Sequence, residues 1–276
     1  MARQRFAPSD IGDMYDEHSR IAAAFRDGQS HMAYWYDDED PVPLTEAVHR
    51  LTTKVTDTLG LRRGETVLDA GCGPGETSVH MATRLGARVT GVTISAFEVE
   101  AGRRRAEAAG VGDLARFEHG DYSRLPFADG TFDAVLAMES LLFAPDLPQV
   151  LGELRRVLRP GGRFAMSDIS LESAAEPERV ERFAAAVKLN VLMTLPDWLA
   201  QLKDAGFLVE EFTQCGPRTF GRKAKLIKAS MQRRAEMAAE FGEEAVAKFS
   251  SEQQGVFLPR RDQIGYIIIA AAKPRH

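Results

Sequence analysis

A short apolar run that enters a glycine-rich turn constrains the fold of this chain more than any other feature. Residues 67–75 read Val-Leu-Asp-Ala-Gly-Cys-Gly-Pro-Gly, and a helical pattern follows them. Glycine adopts the tight conformations in which a strand turns into a helix, and it lets a ligand approach the backbone closely. In open α/β sheets, ligands bind at this edge, beyond the carboxyl ends of the strands. The pattern predicts a nucleotide or nucleoside site after the first strand.

Further apolar runs alternate with helical stretches along the chain, which predicts a parallel sheet with crossover helices. The first five predicted strands are residues 66–69, 88–93, 115–119, 132–138 and 163–167. The runs at 208–212 and 265–271 predict two last strands. About fifty residues separate these two, far more than a hairpin loop, and residues 223–251 are predicted as an inserted helix.

Composition excludes several classes of protein. The 276 residues are 44% hydrophobic and 27% charged, which is typical of a folded domain. The net charge of −5 argues against a dedicated nucleic-acid binder, whose phosphate contacts need a basic face. Two cysteines and six histidines without ligand spacing predict no metal site. The start has no apolar signal core, and no apolar stretch is long enough for a membrane span, so we expect a cytoplasmic protein without membrane partners.

The glycine turn departs from the dinucleotide-binding fingerprint at two positions. Glu76 stands where that fingerprint has its third glycine, and Thr93 ends the second predicted strand where an acidic residue would hold a ribose. These departures weigh against a nicotinamide-dependent dehydrogenase, which remains the least favoured alternative.

Several stretches, in order, resemble the class I S-adenosylmethionine-dependent methyltransferases over roughly residues 10–215. The matching stretches are residues 67–75, Gly120 and Asp121, residues 125–127, Phe132 and Asp133, Glu139 and Ser140, and residues 158–162. Residues 89–95, with Thr93 in place of the usual acid, are similar to the group that contains sterol, tocopherol and sugar methyltransferases and cyclopropane fatty acid synthases. The resemblance implies S-adenosylmethionine as cofactor and a small-molecule acceptor.

The resemblance also implies the fold. We expect an α/β protein with a Rossmann-like, seven-stranded, mostly parallel sheet between helices. The whole chain, residues 1–276, would form one domain: a helical lid at 1–62, a cofactor-binding core at 63–170, and substrate-side helices with the last strands at 171–276. The helical insert would precede the last strand, and the oligomeric state stays open.

Individual site residues follow from the matched positions. In the family, the acid at Asp69 orders the loop near the amino group of the cofactor, and the acid at Asp121 binds the adenine amino group. Glu98 stands where the group has a ribose-binding Gln, although it could instead only complete a capping box with Ser95. The expected cofactor-binding residues are Tyr15, Asp69, Gly71, Cys72, Gly73, Thr93, Ile94, Glu98, Gly120, Asp121, Tyr122 and Met138. The expected substrate-binding residues are Tyr15, His31, Trp35 and Phe143.

The expected chemistry depends on a missing histidine. Oxygen-methylating relatives commonly have a histidine base shortly after the Glu-Ser pair, where this chain has Leu141, Leu142 and Phe143. A hydroxyl needs a base because it attacks poorly with its proton in place. The sequence therefore predicts methyl transfer to nitrogen or carbon, with Glu139 and Asp168 as catalytic residues. Glu139 could instead be a structural carboxylate that fixes the loop after the fourth strand. Oxygen transfer with a different base and a cyclase that keeps the cofactor as a scaffold remain alternatives.

Overall fold

The computed structural model describes residues 6–12, 21, 31–172, 176–253 and 263–275, and it contains a seven-stranded mixed sheet. The strands are β1 (Thr66–Ala70), β2 (Arg88–Thr93), β3 (Ala115–His119), β4 (Phe132–Met138), β5 (Leu158–Leu171), β6 (Leu208–Gln214) and β7 (Ile264–Ala272). Their order across the sheet is β3-β2-β1-β4-β5-β7-β6. Strands β1 to β5 pair in parallel, and β7 runs antiparallel to both β5 and β6. The predicted Rossmann-like fold class is confirmed.

Helices cover both faces of this sheet. They are α1 (Leu44–Asp57), α2 (Glu76–Leu85), α3 (Ala96–Ala108), α4 (Leu147–Val157), α5 (Pro177–Ala186), α6 (Leu195–Asp204), α7 (Lys223–Gln232), α8 (Arg234–Phe241) and α9 (Glu243–Gln253). The single inserted helix predicted over residues 223–251 is therefore three helices. The second break falls at Gly242, whose φ of 87° ends α8 in a conformation that glycine tolerates and other residues rarely adopt.

Alternation along the strands divides the core into two apolar layers. Val67 and Leu136 face one layer, which contains α1, while Leu68 and Val135 face the other, which contains α4 and α6. Leu51 of α1 is fully buried, and burial of such a side chain stabilises the fold by about 1.5–3 kcal/mol. Helix α1 is thus part of the core layer. The predicted lid over residues 1–62 would therefore include a helix that packs in the core, and its action as a lid stays a prediction.

Strand β5 is longer than predicted, and its extension shapes the site. It pairs with β4 as far as Ser167, opposite Met138, and continues beside β7 to Leu171. Asp168 lies in this extension, opposite Ile267 of β7. The pairing with β7 holds Asp168 in regular strand geometry just beyond the end of β4.

The described part of the chain contains neither a membrane-spanning helix nor a metal-ligand cluster. No helix there is long and apolar enough to cross a membrane. No group of three or more metal-ligating side chains is found among the same residues.

Candidate active site

Gly71 and Gly75, in the turn after β1, leave no room for a side chain. Gly71 has a φ of 79°, and a Cβ there would overlap the side chain of Ser140. Gly75 has a φ of 81°, and a Cβ there would overlap the ring of Phe117. Such positive φ angles strain any other residue. At these two glycines the backbone therefore packs closely against Ser140, just after β4, and against Phe117 of β3.

Cys72 contributes little besides its backbone. Its amide donates to the carbonyl of Val92 at 3.0 Å, next to the amide of Gly71 at 2.9 Å on the same oxygen. Burial raises the pKa of the Cys72 thiol well above its usual range. A buried neutral thiol is a poor nucleophile, so the geometry gives this cysteine a structural place in the loop.

Asp69 lies in β1, just before the glycine turn, and links this strand to α2. Its side chain is buried, and Ser78 of α2 donates a hydrogen bond of 2.6 Å to Oδ2. Burial raises the pKa of Asp69 to about 6, against the opposing effects of the Ser78 hydrogen bond and the His31 ring. The carboxyl group ties the end of β1 to the first turn of the helix that follows.

The backbone amide and the carboxylate of Glu98 make two different contacts. The amide of Glu98 donates to Ser95 Oγ at 3.2 Å, so Ser95 caps α3 as the sequence predicted. The buried carboxylate of Glu98 accepts a 2.7 Å bond from the hydroxyl of Thr93 at the end of β2. The Glu98 side chain therefore lies at the sheet edge where a ribose would bind, and its backbone amide takes part in the cap.

Asp121 and Tyr122 occupy the turn after β3. Asp121 Oδ1 accepts a 2.7 Å bond from the amide of Ser123. The Tyr122 hydroxyl donates to the carbonyl of Ser140 at 2.9 Å, and the Ser140 hydroxyl donates to the carbonyl of Ala70 at 2.7 Å. These bonds hold the ends of β1 and β4 and the turn after β3 together.

The other predicted cofactor residues lie at the same edge. The amide of Gly120 donates to the carbonyl of Thr93 at 2.9 Å. Met138 ends β4, where its sulfur lies 3.6 Å from the hydroxyl of Thr77. Ile94 follows β2, and its carbonyl lies 3.0 Å from His119 Nε2.

Glu139 follows β4 and has an unusual backbone conformation for a residue other than glycine. Its φ is 50°, in the left-handed region, and its amide donates to the carbonyl of Ser167 at 2.7 Å. Residues in this region cost of order 1–3 kcal/mol and concentrate at functional sites. Glu139 Oε1 accepts two bonds, from the amide of Met32 at 2.9 Å and from the hydroxyl of Tyr266 at 2.8 Å.

Asp168 lies beside Glu139 and is completely buried. Its Oδ2 accepts a 3.2 Å bond from the amide of Leu142, while Oδ1 has no hydrogen-bond partner among the described residues. Burial, and next the charge of Glu139, raise the pKa of Asp168 well above its usual range. The structure therefore brings together the two predicted catalytic carboxyl groups, and it favours a proton on Asp168.

The predicted substrate-binding residues are not equivalent in the structure. His31 is buried, with Nδ1 2.9 Å from the carbonyl of Met32 and Nε2 3.0 Å from the hydroxyl of Thr52. Trp35 is also buried and donates from Nε1 to the carbonyl of Val42 at 3.2 Å. The polar atoms of both side chains therefore have hydrogen-bond partners within the protein. Contact of His31 and Trp35 with the substrate stays a prediction.

Phe143 lies in the short helical turn Leu141–Phe143 that follows Glu139 and Ser140. It is partly buried, and its carbonyl accepts a 3.0 Å bond from Asn190 Nδ2. Tyr15, predicted to bind both ligands, lies outside the described residues.

Two residues at the site were missed by the sequence reasoning. Tyr266 is the one aromatic residue in the apolar run of β7, and Asn190 is the one asparagine of the chain. Asn190 Oδ1 accepts from the amide of Phe6 at 2.8 Å, and Nδ2 donates to the carbonyl of Phe6 at 2.9 Å. An isolated polar group in an apolar strand, or a single amide before a helix, is the signal that could have indicated them.

Comparisons with known proteins agree with this geometry. A family model described as a methyltransferase domain matches residues 68–166. The methyltransferase GfsG of Streptomyces halstedii is 32% identical over 269 residues, which cover 96% of this chain and 94% of that protein. This chain is a class I S-adenosylmethionine-dependent methyltransferase. It is accordingly an enzyme, and its cofactor is S-adenosylmethionine.

Two further comparisons extend over the whole methyltransferase. The 27-O-demethylrifamycin SV methyltransferase of Amycolatopsis mediterranei is 34% identical over 278 residues, covering 97% of this chain and 98% of that protein. Among solved structures, the [4+2]-cyclase SpnF aligns with a TM-score of 0.86 at 25% identity, over 100% of this chain and 99% of that one.

The donor set of the described site fits S-adenosylmethionine. The turn at 71–75 brings bare backbone to the edge of the sheet, where Glu98 and Asp121 place carboxylates that can accept bonds from ribose hydroxyls and an adenine amino group. Asp69 lies below the turn. This edge, beyond the carboxyl ends of the strands, is where open α/β sheets bind ligands.

Proposed function

We propose that this methyltransferase transfers the methyl group of S-adenosylmethionine to a hydroxyl oxygen of a small natural product. The observation that carries the proposal is the carboxyl pair of Glu139 and Asp168, which supplies a proton acceptor where the chain has no histidine. The rifamycin relative, named for an oxygen methylation, supports the same class of acceptor.

Bound S-adenosylmethionine supplies a methyl carbon that is activated by a positively charged sulfur, and S-adenosylhomocysteine is the product. Glu139 holds its carboxylate with Oε1 engaged by Met32 and Tyr266. Oε2 accepts no hydrogen bond from the described residues, so it is the atom that can take the proton of the acceptor hydroxyl. A positioned base of this kind contributes about 100-fold or more to the rate.

Asp168 has a different part. Because its Oδ2 accepts from Leu142, the proton favoured by burial belongs on Oδ1, which then becomes a buried donor. A neutral acid beside Glu139 avoids two like charges at one site. We infer that Asp168 orients the acceptor or the carboxylate of Glu139, and that Glu139 carries the negative charge.

Cofactor contacts are assigned by the same reasoning. We infer that Glu98 binds the ribose hydroxyls, Asp121 the adenine amino group, and the 71–75 turn the methionine end, with Asp69 beneath it. The chain before α1 would cover this site. Phe6 is bound by Asn190 from one side, and Gly12 lies close enough to the carbonyl of Ile94 that a Cβ would be 3.3 Å away.

Nitrogen or carbon acceptors form the second candidate, in line with the sequence prediction. Leu142 and Phe143 stand where oxygen-methylating relatives commonly have a histidine, and they make the pocket more apolar. A neutral amine or an electron-rich alkene attacks before it loses a proton, so such an acceptor needs the carboxyl groups less.

The third candidate function is that of a cyclase that keeps the cofactor as a scaffold. The likeness to SpnF over the whole chain favours it.

The test is to identify the product. The purified protein is incubated with S-adenosylmethionine labelled with ¹³C in the methyl group and with separate panels of hydroxylated polyketides, amines and terpenoid alkenes. Mass spectrometry finds the labelled product, and its ¹³C shift distinguishes methyl on oxygen, nitrogen and carbon. We expect an O-methyl product from the hydroxylated panel. An N-methyl or C-methyl product as the sole outcome would contradict oxygen transfer, and an unlabelled, cyclised product would support the third candidate.

A further inference from the structure

We propose that Tyr266 is a positioning residue that, with Ser167, fixes the carboxylate of Glu139 and through it the backbone amide of Met32 at the acceptor side of the site. The proposal rests on the proposed function, in which Glu139 takes the proton of the acceptor. The Tyr266 hydroxyl binds Glu139 and Ser167, so its effect is exerted through Glu139.

Tyr266 is held by the sheet. It lies on β7 opposite Ile169 of β5, and its ring is completely buried in the core layer that also contains α1. The hydroxyl lies 2.8 Å from Glu139 Oε1 and 3.0 Å from Ser167 Oγ. Because both strands are paired over their length, the hydroxyl has a fixed position relative to the end of β4.

The direction of the hydrogen bonds follows from protonation. Burial, and next the charge of Glu139, raise the pKa of Tyr266 well above its usual range, so the phenol keeps its proton. Its single proton is best donated to Glu139, since a carboxylate is a stronger acceptor than a neutral hydroxyl. Ser167 then donates its own proton to the oxygen of Tyr266. The order of donation is Ser167 to Tyr266 to Glu139.

The amide of Met32 gives Glu139 its second anchor. It donates to the same oxygen, Oε1, at 2.9 Å, so two donors from opposite ends of the sequence hold one carboxylate oxygen. Rotation of the carboxylate would break both bonds. Oε2 is thereby kept in one orientation, and the position of Met32 depends on whether Tyr266 holds Glu139.

A purely structural role for Tyr266 makes a different prediction about local order. Loss of its hydroxyl would then weaken the fold generally, whereas a positioning role affects Met32 and spares its neighbours. Tyr34 provides an internal reference, because its amide donates to the carbonyl of Ala47 in α1 at 2.9 Å and does not involve Glu139.

The experiment measures amide hydrogen exchange of the full-length protein by NMR and requires no acceptor, so it is independent of the proposed function. In Tyr266→Phe, we expect Met32 to exchange at least about fivefold faster relative to Tyr34, as for loss of one hydrogen bond. Ser167→Ala should show a smaller change of the same kind. Ser170→Ala, a buried serine on the same strand whose Oγ has no partner among the described residues, should show none.

A double variant tests whether Tyr266 acts through Glu139. In the Glu139→Ala background, Tyr266→Phe should add less than about twofold to the Met32 exchange rate, because the shared partner is gone. Glu139→Gln should retain most of the protection, since its side-chain oxygen still accepts. Unchanged Met32 exchange in Tyr266→Phe, or equal acceleration of Met32 and Tyr34, overturns the proposal. If Tyr266→Phe does not fold, the same comparison of Met32 with Tyr34 in Ser167→Ala decides it.

Discussion

The two sides of the active site are assembled over very different distances along the chain. On the cofactor side, at the ends of β1 to β3, each acidic residue is held by a near neighbour: Ser78 binds Asp69 across 9 positions, Thr93 binds Glu98 across 5, and Ser123 binds Asp121 across 2. On the acceptor side, Met32 and Tyr266 bind Glu139 across 107 and 127 positions. One side is a set of local motifs, and the other exists only when the whole sheet has formed.

This difference has a physical consequence. A local hydrogen bond orders few residues, so it can form whenever its turn or helix end forms. A long-range bond depends on strand pairing that has already overcome the entropy of closing a large loop. The cofactor side should therefore tolerate changes elsewhere in the chain, while the acceptor side should respond to changes in β5, β7 and the amino-terminal segment.

The largest expected effect is on the acceptor side, at Glu139. Glu139→Gln should lower the rate of methyl transfer about 100-fold or more, because the amide keeps the Oε1 acceptor but cannot take a proton. The affinity for S-adenosylhomocysteine should stay within about twofold, since the change affects an interaction made during the reaction. Single-turnover formation of S-adenosylhomocysteine and calorimetry measure the two quantities.

The matched control for this substitution is Glu211→Gln, an exposed carboxylate on the edge strand β6. It should leave both the rate and the affinity unchanged. A Glu139→Gln enzyme with full activity would remove Glu139 from the mechanism and would favour an acceptor that needs no base.

The second-largest expected effect is on the cofactor side, where Asp69 should make the free energy of unfolding depend on pH. The pKa of Asp69 is raised to about 6 by burial, above the value of about 3.9 in an unfolded chain. The folded state therefore binds this proton more tightly, and the associated stability is present below pH 4 and lost as the pH rises through 6. By linkage, this amounts to about 2 kcal/mol of unfolding free energy between pH 4 and pH 7.

Asp69→Asn should remove that pH dependence. Urea unfolding of the two proteins at pH 4 and pH 7 measures it, as the difference between the pH-induced changes. An identical change in both proteins would show that Asp69 is charged in the folded state throughout this range. The carboxylate would then be stabilised more strongly than Ser78 and His31 suggest.

The third effect is on cofactor affinity. Glu98→Ala and Asp121→Ala should each weaken S-adenosylhomocysteine binding roughly tenfold, as expected for loss of a hydrogen bond to a charged group. Glu100→Ala and Glu118→Ala are the controls, because these exposed carboxylates lie two and three positions away on α3 and β3. Calorimetry that gives wild-type affinity for both Glu98→Ala and Asp121→Ala would exclude the proposed ribose and adenine contacts.

The contrast between the cofactor side and the acceptor side also explains which features could be predicted from the sequence. The glycine turn, the Ser95 cap and the strand limits at residues 88–93, 115–119 and 132–138 were predicted correctly, because each depends on a few adjacent residues. Glu139 and Asp168 were predicted at neighbouring strand ends, but no sequence pattern indicated Tyr266 as the partner of Glu139. That contact depends on the register of β7 against β5, which no local pattern specifies.

The packing of α1 was not predicted for a related reason. Ala47, Val48 and Leu51 have the spacing of one apolar helix face, but whether that face covers the sheet or another surface depends on the assembled fold. The insert was predicted as one helix, and the structure has three helices that together cover nearly all of residues 223–251. Its breaks depend on single residues such as Gly242, which a helix can also accommodate in its interior.

The smallest expected effect tests the longest-range contact of the site, between Asn190 and Phe6, which are 184 positions apart. Asn190→Ala removes both bonds to the backbone of Phe6 and the bond to the carbonyl of Phe143. We expect the Phe6 amide to exchange about fivefold faster, as for one neutral hydrogen bond. Bound S-adenosylhomocysteine should also dissociate a few-fold faster if the chain before α1 covers the cofactor, because product release then waits for this segment to open.

Asn190→Asp separates the two halves of this contact. Its Oδ1 can still accept from the Phe6 amide, while the bonds donated to Phe6 and Phe143 are lost, so exchange should lie between wild type and Asn190→Ala. Gln232→Ala, an exposed amide on α7, should change neither exchange nor release. Faster Phe6 exchange without faster release would mean that Asn190 anchors the amino-terminal segment at a place that does not gate the cofactor. The acceptor side would then be the only part of the site that depends on this long-range contact, through the carbonyl of Phe143.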